Sequence, residues 1–230
     1  MTTTHSPSGP VDALRGFLGV PLRAQTYRNL AYLALAFPLG LVYFVGLSVG
    51  LSTGIGLTVT LVGLPLLLVT VLAAAAAAGF EARLATWLVG VDATPPAALG
   101  DLDGAFESVD GFIEATKRLL TAPTTWTGVL LVALKFAFGV VAFTALVSAT
   151  AVAGTLLAAP FLYDAAGISY SVGPYAIETL GAALATTGLG VLVTLVSLHL
   201  LNGLAKLGGF TTAVLLGDDP TESETTPDGA

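Results

Sequence analysis

From Leu30 to Phe80 the chain carries no Asp, Glu, Lys, Arg or His, an uncharged run of 51 residues. One helical membrane crossing takes roughly 20 apolar residues, so this run has room for two. The pattern predicts helix 1 over about 28–50, a tight turn at Ser52-Thr53-Gly54, and helix 2 over about 55–79 with a kink at Pro65. Gly46, Gly50 and Gly54 fall four apart, a small-residue ladder of the kind that lets a neighbouring backbone come close. A second apolar text runs from Trp126 to Tyr163, interrupted only by Lys135. It is too long for one straight crossing, so helix 3 is expected to reach about residue 150, with a break near Gly154 or Pro160. Helix 4 follows over about 177–201.

The two texts resemble each other. At a spacing of 99 residues, Thr26, Tyr27, Leu35, Phe37 and Gly40 meet Thr125, Trp126, Leu134, Phe136 and Gly139. Gly63-Leu64-Pro65 has a weaker echo in Ala158-Ala159-Pro160. This predicts an all-α membrane protein whose four transmembrane helices form two hairpins, with repeat halves at about 11–92 and 105–217 of a single domain. Four shorter stretches, 11–20, 80–91, 105–120 and 202–216, pattern as amphipathic helices lying in the interface. In the second of these, Phe80, Leu84, Trp87, Leu88 and Val91 make the apolar face, with Glu81 and Arg83 off it. Residues 1–10 and 218–230 read as a disordered N-terminus and a disordered acidic tail.

Orientation follows Lys and Arg, which favour the cytoplasmic side. Arg15, Arg23 and Arg28 precede helix 1, Arg83, Lys117 and Arg118 lie between helices 2 and 3, and Lys206 follows helix 4. The 50–54 turn and the 164–176 loop have neither residue type. Both termini are therefore expected in the cytoplasm, which makes the hairpins parallel repeats about an axis along the membrane normal.

Composition agrees with this class. Charged residues make up 10% of the chain and hydrophobic ones 55%, whereas soluble domains carry about 25% charged residues. The net charge of −7 and the absence of a basic patch argue against nucleic-acid binding. The acid-rich, lysine-poor balance resembles proteins of salt-accumulating halophilic archaea. With no cysteine, disulfides, thiolate metal sites and cysteine nucleophiles are excluded.

Candidate chemistry is sparse: no nucleophile triad, phosphate loop or metal-spaced cluster stands in the sequence, and no cofactor or enzymatic activity is expected. Lys135 is the one Lys or Arg inside an apolar run. An intramembrane charge points to function by default, but at two turns' depth its ammonium can instead snorkel to the headgroups, and that reading is preferred. His199 and Asn202 lie near the cytoplasmic end of helix 4, where the histidine is expected to bond backbone or lipid. Asp164, Tyr170 and Glu178 belong to the outer loop region and offer either a small outward-facing site or a wet loop with interfacial tyrosines.

The blocks TYRNLAYLALAFPLGLVYF, VTLVGLPLL, LLVALKFAFGVVAF and HLLNGLAKLGG resemble the "putative sensor" membrane domain, found at the N-terminus of many actinobacterial sensor histidine kinases and alone in haloarchaea. The resemblance covers roughly 22–217 and rests on Phe37, Pro38, Gly40, Gly63, Pro65, Lys135, Phe136, Gly139, His199, Asn202 and Gly203. Ala137 departs from it, standing where the family's second repeat usually has proline. The resemblance implies a non-catalytic multi-pass sensor of the cell membrane. No kinase region stands in the 13 residues after Gly217, so output is expected to pass to a separate cytoplasmic signalling protein or another membrane subunit. The alternatives are a small transporter or channel component and a structural subunit of a membrane complex.

Overall fold

A computed structural model describes residues 16–60, 62–93, 117, 121, 123–165 and 169–216. Four long helices dominate: α1 (Ala24–Gly56), α2 (Gly63–Leu84), α3 (Pro123–Leu157) and, after a four-residue helix α4 (Ala159–Leu162), α5 (Leu180–Leu216). Each long helix has the length and apolarity to cross a bilayer, with mean window hydropathies between 1.9 and 2.4. A 37-residue α5 is about 55 Å long at ~1.5 Å per residue. That exceeds a hydrocarbon core of about 30 Å, so the helix tilts or extends beyond it.

The boundaries correct several expectations. Helix α1 runs through Ser52-Thr53-Gly54 to Gly56, and the turn falls at 57–62, around a 3-10 turn over Thr58–Thr60. Here Gly63 donates its N–H to the Leu57 carbonyl. A Cβ on Gly63 would overlap the backbone of Gly54, Leu57 and Thr58, so only glycine closes this turn. Pro65 then sits in the first turn of α2, where its missing N–H costs nothing, rather than at a mid-helix kink. Neither 80–91 nor 202–216 forms a separate interfacial helix. The former continues α2 through a π turn (Ala85–Val89) that stops at Gly90, with φ 73°, and the latter is the end of α5. Gly154 is helical, and α3 breaks at Ala158, just ahead of Pro160. Between α4 and α5 lies a short antiparallel hairpin, β1 (Ser171–Val172) and β2 (Tyr175–Ala176), around Gly173 at φ 59°. Residues 1–15 and 217–230 lie outside the described residues, as does the expected 105–120 helix apart from Lys117.

The chain divides into two compact units. One comprises Met1–Leu30 and Thr144–Gly203, the other Ala31–Phe143 and Leu204–Ala230. In the first, Ala159, Tyr170, Ile177 and Ala183 form a buried cluster under the hairpin. In the second, Ala78, Ala82, Leu131, Val132 and Leu216 pack together.

Within the second unit α1 and α3 meet at paired glycines. A Cβ on Gly40 would lie 2.7 Å from the Lys135 carbonyl oxygen, and one on Gly139 2.5 Å from that of Ala36. Two stacked aromatic pairs flank this crossing, Phe44 with Phe136 at 4.7 Å and Phe37 with Phe143 at 4.9 Å. The predicted glycine ladder is only partly used. Gly50 receives the Thr70 side chain and Gly54 that of Leu67, whereas a Cβ on Gly46 would meet nothing within 4 Å.

Candidate functional site

The second unit buries a charge pair with contributions from all four long helices. Lys135 of α3 is 3% exposed and Glu81 of α2 is fully buried. The Lys135 Nζ stands 2.6 Å from Glu81 Oε2. It also donates to the Tyr32 hydroxyl of α1 at 2.7 Å and reaches Thr212 Oγ1 of α5 at 3.4 Å. An ammonium has three protons to place; the two hydroxyls accept two of them, and Glu81 balances the charge. The cation further lies 4.8 Å from the Tyr32 ring centre and 5.7 Å from that of Phe138. Such contacts offset part of the cost of moving a cation out of water.

The sequence explains why the pair stands here. Gly40 brings the α1 backbone onto the turn that carries Lys135. Opposite, Ala74, Ala75, Ala78 and Ala82 are buried on α2, and their small side chains let that helix sit close enough for Glu81 to reach. The carboxylate is incompletely satisfied. Its contact with Nζ lacks the alignment of a regular hydrogen bond, and neither Glu81 oxygen, nor the Tyr43 hydroxyl, nor Thr125 Oγ1 has a regular partner among the described residues. The Tyr43 hydroxyl lies beside the Glu81 carboxylate.

Two expectations fail here. Lys135 does not snorkel, because its ammonium is enclosed by Glu81, Tyr32 and Thr212. Glu81, expected to face water from an interfacial helix, is instead fully buried together with Leu84 and Leu88 of the apolar stripe, whereas Phe80 and Trp87 of that stripe are 46% and 69% exposed. The inversion is physical: in lipid the outward side is apolar too, and the ionisable group turns inward to its partner. Glu81, Tyr32, Tyr43 and Thr212 were thus missed as site residues. The available signal was a lone lysine in apolar text, which needs a buried acid, with Glu81 the first charge beyond the uncharged run.

The other candidates lie in the first unit. Asn202 accepts a hydrogen bond from Asn29 at 2.7 Å and donates to Thr26 Oγ1 at 3.2 Å, which itself donates to the Val20 carbonyl. His199 Nδ1 donates to the Leu195 carbonyl at 2.9 Å. Its ring stacks on Phe17 at 4.5 Å. Tyr170 is buried and donates to the Thr155 carbonyl at 2.7 Å, holding the hairpin to the end of α3. Asp164 and Glu178 are exposed. Of the motif residues, Pro38 is carried inside α1, and Gly203 faces open space.

Among the described residues no group of three His, Cys, Asp or Glu could hold a metal. Four apolar spans around a buried ion pair define a multi-pass, all-α membrane protein. Residues 32–216 match the family described as "Putative sensor", and the chain belongs to that family. The matched region contains Tyr32, Glu81, Lys135 and Thr212. Membership places this chain among proteins described as sensors. No curated protein and no solved structure matches the chain.

Proposed function

We propose that the chain is a membrane sensory module that converts a cue in the bilayer or outside it into a change read by a separate cytoplasmic partner. The observation that carries this reading is the Glu81–Lys135 pair, because each of the four long helices supplies one of its contacts. A shift of any one helix alters the pairing, and buried charge makes each arrangement energetically distinct, as a two-state element requires. The reciprocal contacts at the α1–α3 crossing support a duplicated hairpin. Gly40 meets Lys135 and Phe136 while Gly139 meets Ala36 and Phe37, and the two phenylalanine stacks exchange in the same way. Adding 99 to the α1 residue and subtracting 99 from the α3 residue turns one contact into the other, the signature of a two-fold relation. The distribution of Lys and Arg supports cytoplasmic termini.

Two experiments test this. Since the sequence lacks cysteine, Ser169→Cys and Gly100→Cys are clean reporters of sidedness. Residue 169 is expected to react with an impermeant maleimide in intact cells and residue 100 to stay unlabelled, and the reverse would overturn the orientation. For function, a tagged chain is recovered from native membranes and the co-purifying proteins are identified. The wild type is expected to bring down a cytoplasmic or membrane partner, and the charge-free variant Glu81→Gln/Lys135→Met to lose most of it at equal membrane level. Undiminished capture by that variant would remove the ion pair from the mechanism.

A further inference from the structure

Within the second unit α1 and α2 leave a cavity of about 360 Å³. Val42, Tyr43 and Gly46 of α1 and Thr70, Ala73 and Ala77 of α2 are among its walls, and no lining residue is charged. Its volume falls in the range of about 300–1,000 Å³ usual for ligand sites. Small residues facing one another normally mark a close helix contact. At Gly46 nothing approaches, so the small side chains leave a trough instead of a seam. Its rim is apolar and outward-facing, with Val42 67% and Val69 58% exposed on helices that cross the bilayer. Thr70 offers no recognition group, because its hydroxyl already donates to the Leu66 carbonyl at 2.8 Å. Tyr43 links this cavity to the ion pair: its side chain lines the wall, and its buried hydroxyl lies beside Glu81.

We infer that the cavity binds one hydrocarbon chain of a bilayer lipid, and that the bound chain fixes the Tyr43 ring and with it the hydroxyl against Glu81. Apolar walls, with the Thr70 hydroxyl spent on Leu66 and the Tyr43 hydroxyl buried out of reach, suit an acyl-type tail and give a headgroup nothing to bond. A helix of a second copy, about 10–12 Å across with its side chains, is too wide to enter. The first unit has a cavity of about 250 Å³ lined by Leu30, Thr150 and Thr194, among others. Those two hydroxyls bond carbonyls of their own helices, and no ionisable residue lines it. Of these two cavities, the larger has a route to a charge. The lipid site stands by itself, and its use as an input rests on the sensory reading.

The test uses the full chain in phosphatidylcholine vesicles containing a lipid with a diazirine along its tail. Photolabelling is expected to concentrate on 42–47 and 69–77. Gly46→Leu, which fills open space without meeting another atom at Cβ, should cut it about tenfold, equivalent to ~1.4 kcal/mol of lost binding. Gly188→Leu, also over open space but away from this cavity, should leave it unchanged. Labelling that Gly46→Leu does not reduce overturns the site. A disulfide-linked dimer of Gly46→Cys, with no labelling of the wild type, overturns it in favour of a second copy. Coupling is read from the infrared carboxylate band of Glu81, assigned by its loss in Glu81→Gln. Exchanging straight-chain for methyl-branched lipid should shift the band in the wild type and not in Tyr43→Phe, and an equal shift in both would disprove the link. Neither readout needs a cytoplasmic partner, so failure of the lipid site and failure of the sensory role are separable.

Discussion

Lys135→Met, made alone, is expected to lower stability by about 3–5 kcal/mol, because it leaves the Glu81 carboxylate buried without its cation. No group in the described surroundings hydrogen-bonds that carboxylate with regular geometry. Glu81→Leu alone should cost less, since the ammonium keeps the Tyr32 and Thr212 hydroxyls as acceptors. Together, Glu81→Leu and Lys135→Met should recover most of the loss, because an apolar pair of similar volume often replaces a buried ion pair at little cost. Equilibrium unfolding of the four proteins in mixed micelles closes the double-mutant cycle. A coupling below about 1 kcal/mol would show that the two residues do not act as one unit.

Gly40→Val should be comparably damaging through sterics alone. Its Cβ would press on backbone, 2.7 Å from the Lys135 carbonyl oxygen and 2.8 Å from the Phe136 Cα, and backbone cannot swing aside as a side-chain tip can. The helices must part, loosening the phenylalanine stacks on either side of the crossing. A loss of about 3 kcal/mol or more is expected, at the upper end of overpacking effects. Gly203→Ala, where an added Cβ meets nothing within 4 Å, should be neutral or gain up to about 1 kcal/mol of helix propensity. A Gly40→Val protein that unfolds like the wild type would mean that the crossing is not tightly held.

The number of spans was legible because 51 consecutive residues without a charge cannot coat a water-facing surface and are long enough to cross a bilayer twice. Helix ends were less so. Gly54 reads as a turn residue, yet in α1 it serves to accept the Leu67 side chain. The stretches after helices 2 and 4 carry charges that suggest an interfacial element, but a helix does not stop where the membrane does, and α5 continues past Lys206 to Leu216. Lys135 could be picked out as the odd residue, but its partner could not. Amphipathic patterning assumes that water lies on one side, and that assumption turned Glu81 out toward water. Tyr32, Tyr43 and Thr212 carry no sequence signal of their own, since hydroxyl residues are ordinary in apolar helices and only the fold brings them to the charges.

At the α1–α3 crossing the glycine contacts and the stacked phenylalanines come in duplicate, with two glycines against two carbonyls and two ring pairs. The charge does not, for Lys135 faces no second lysine and the matching position holds Ala36. Fault tolerance is therefore uneven. Truncating one phenylalanine leaves an intact spare of the same kind, so such changes can accumulate with graded effect. Among the described residues the ion pair has no spare, and drift at Glu81 or Lys135 must be answered at the other to keep the bundle sound.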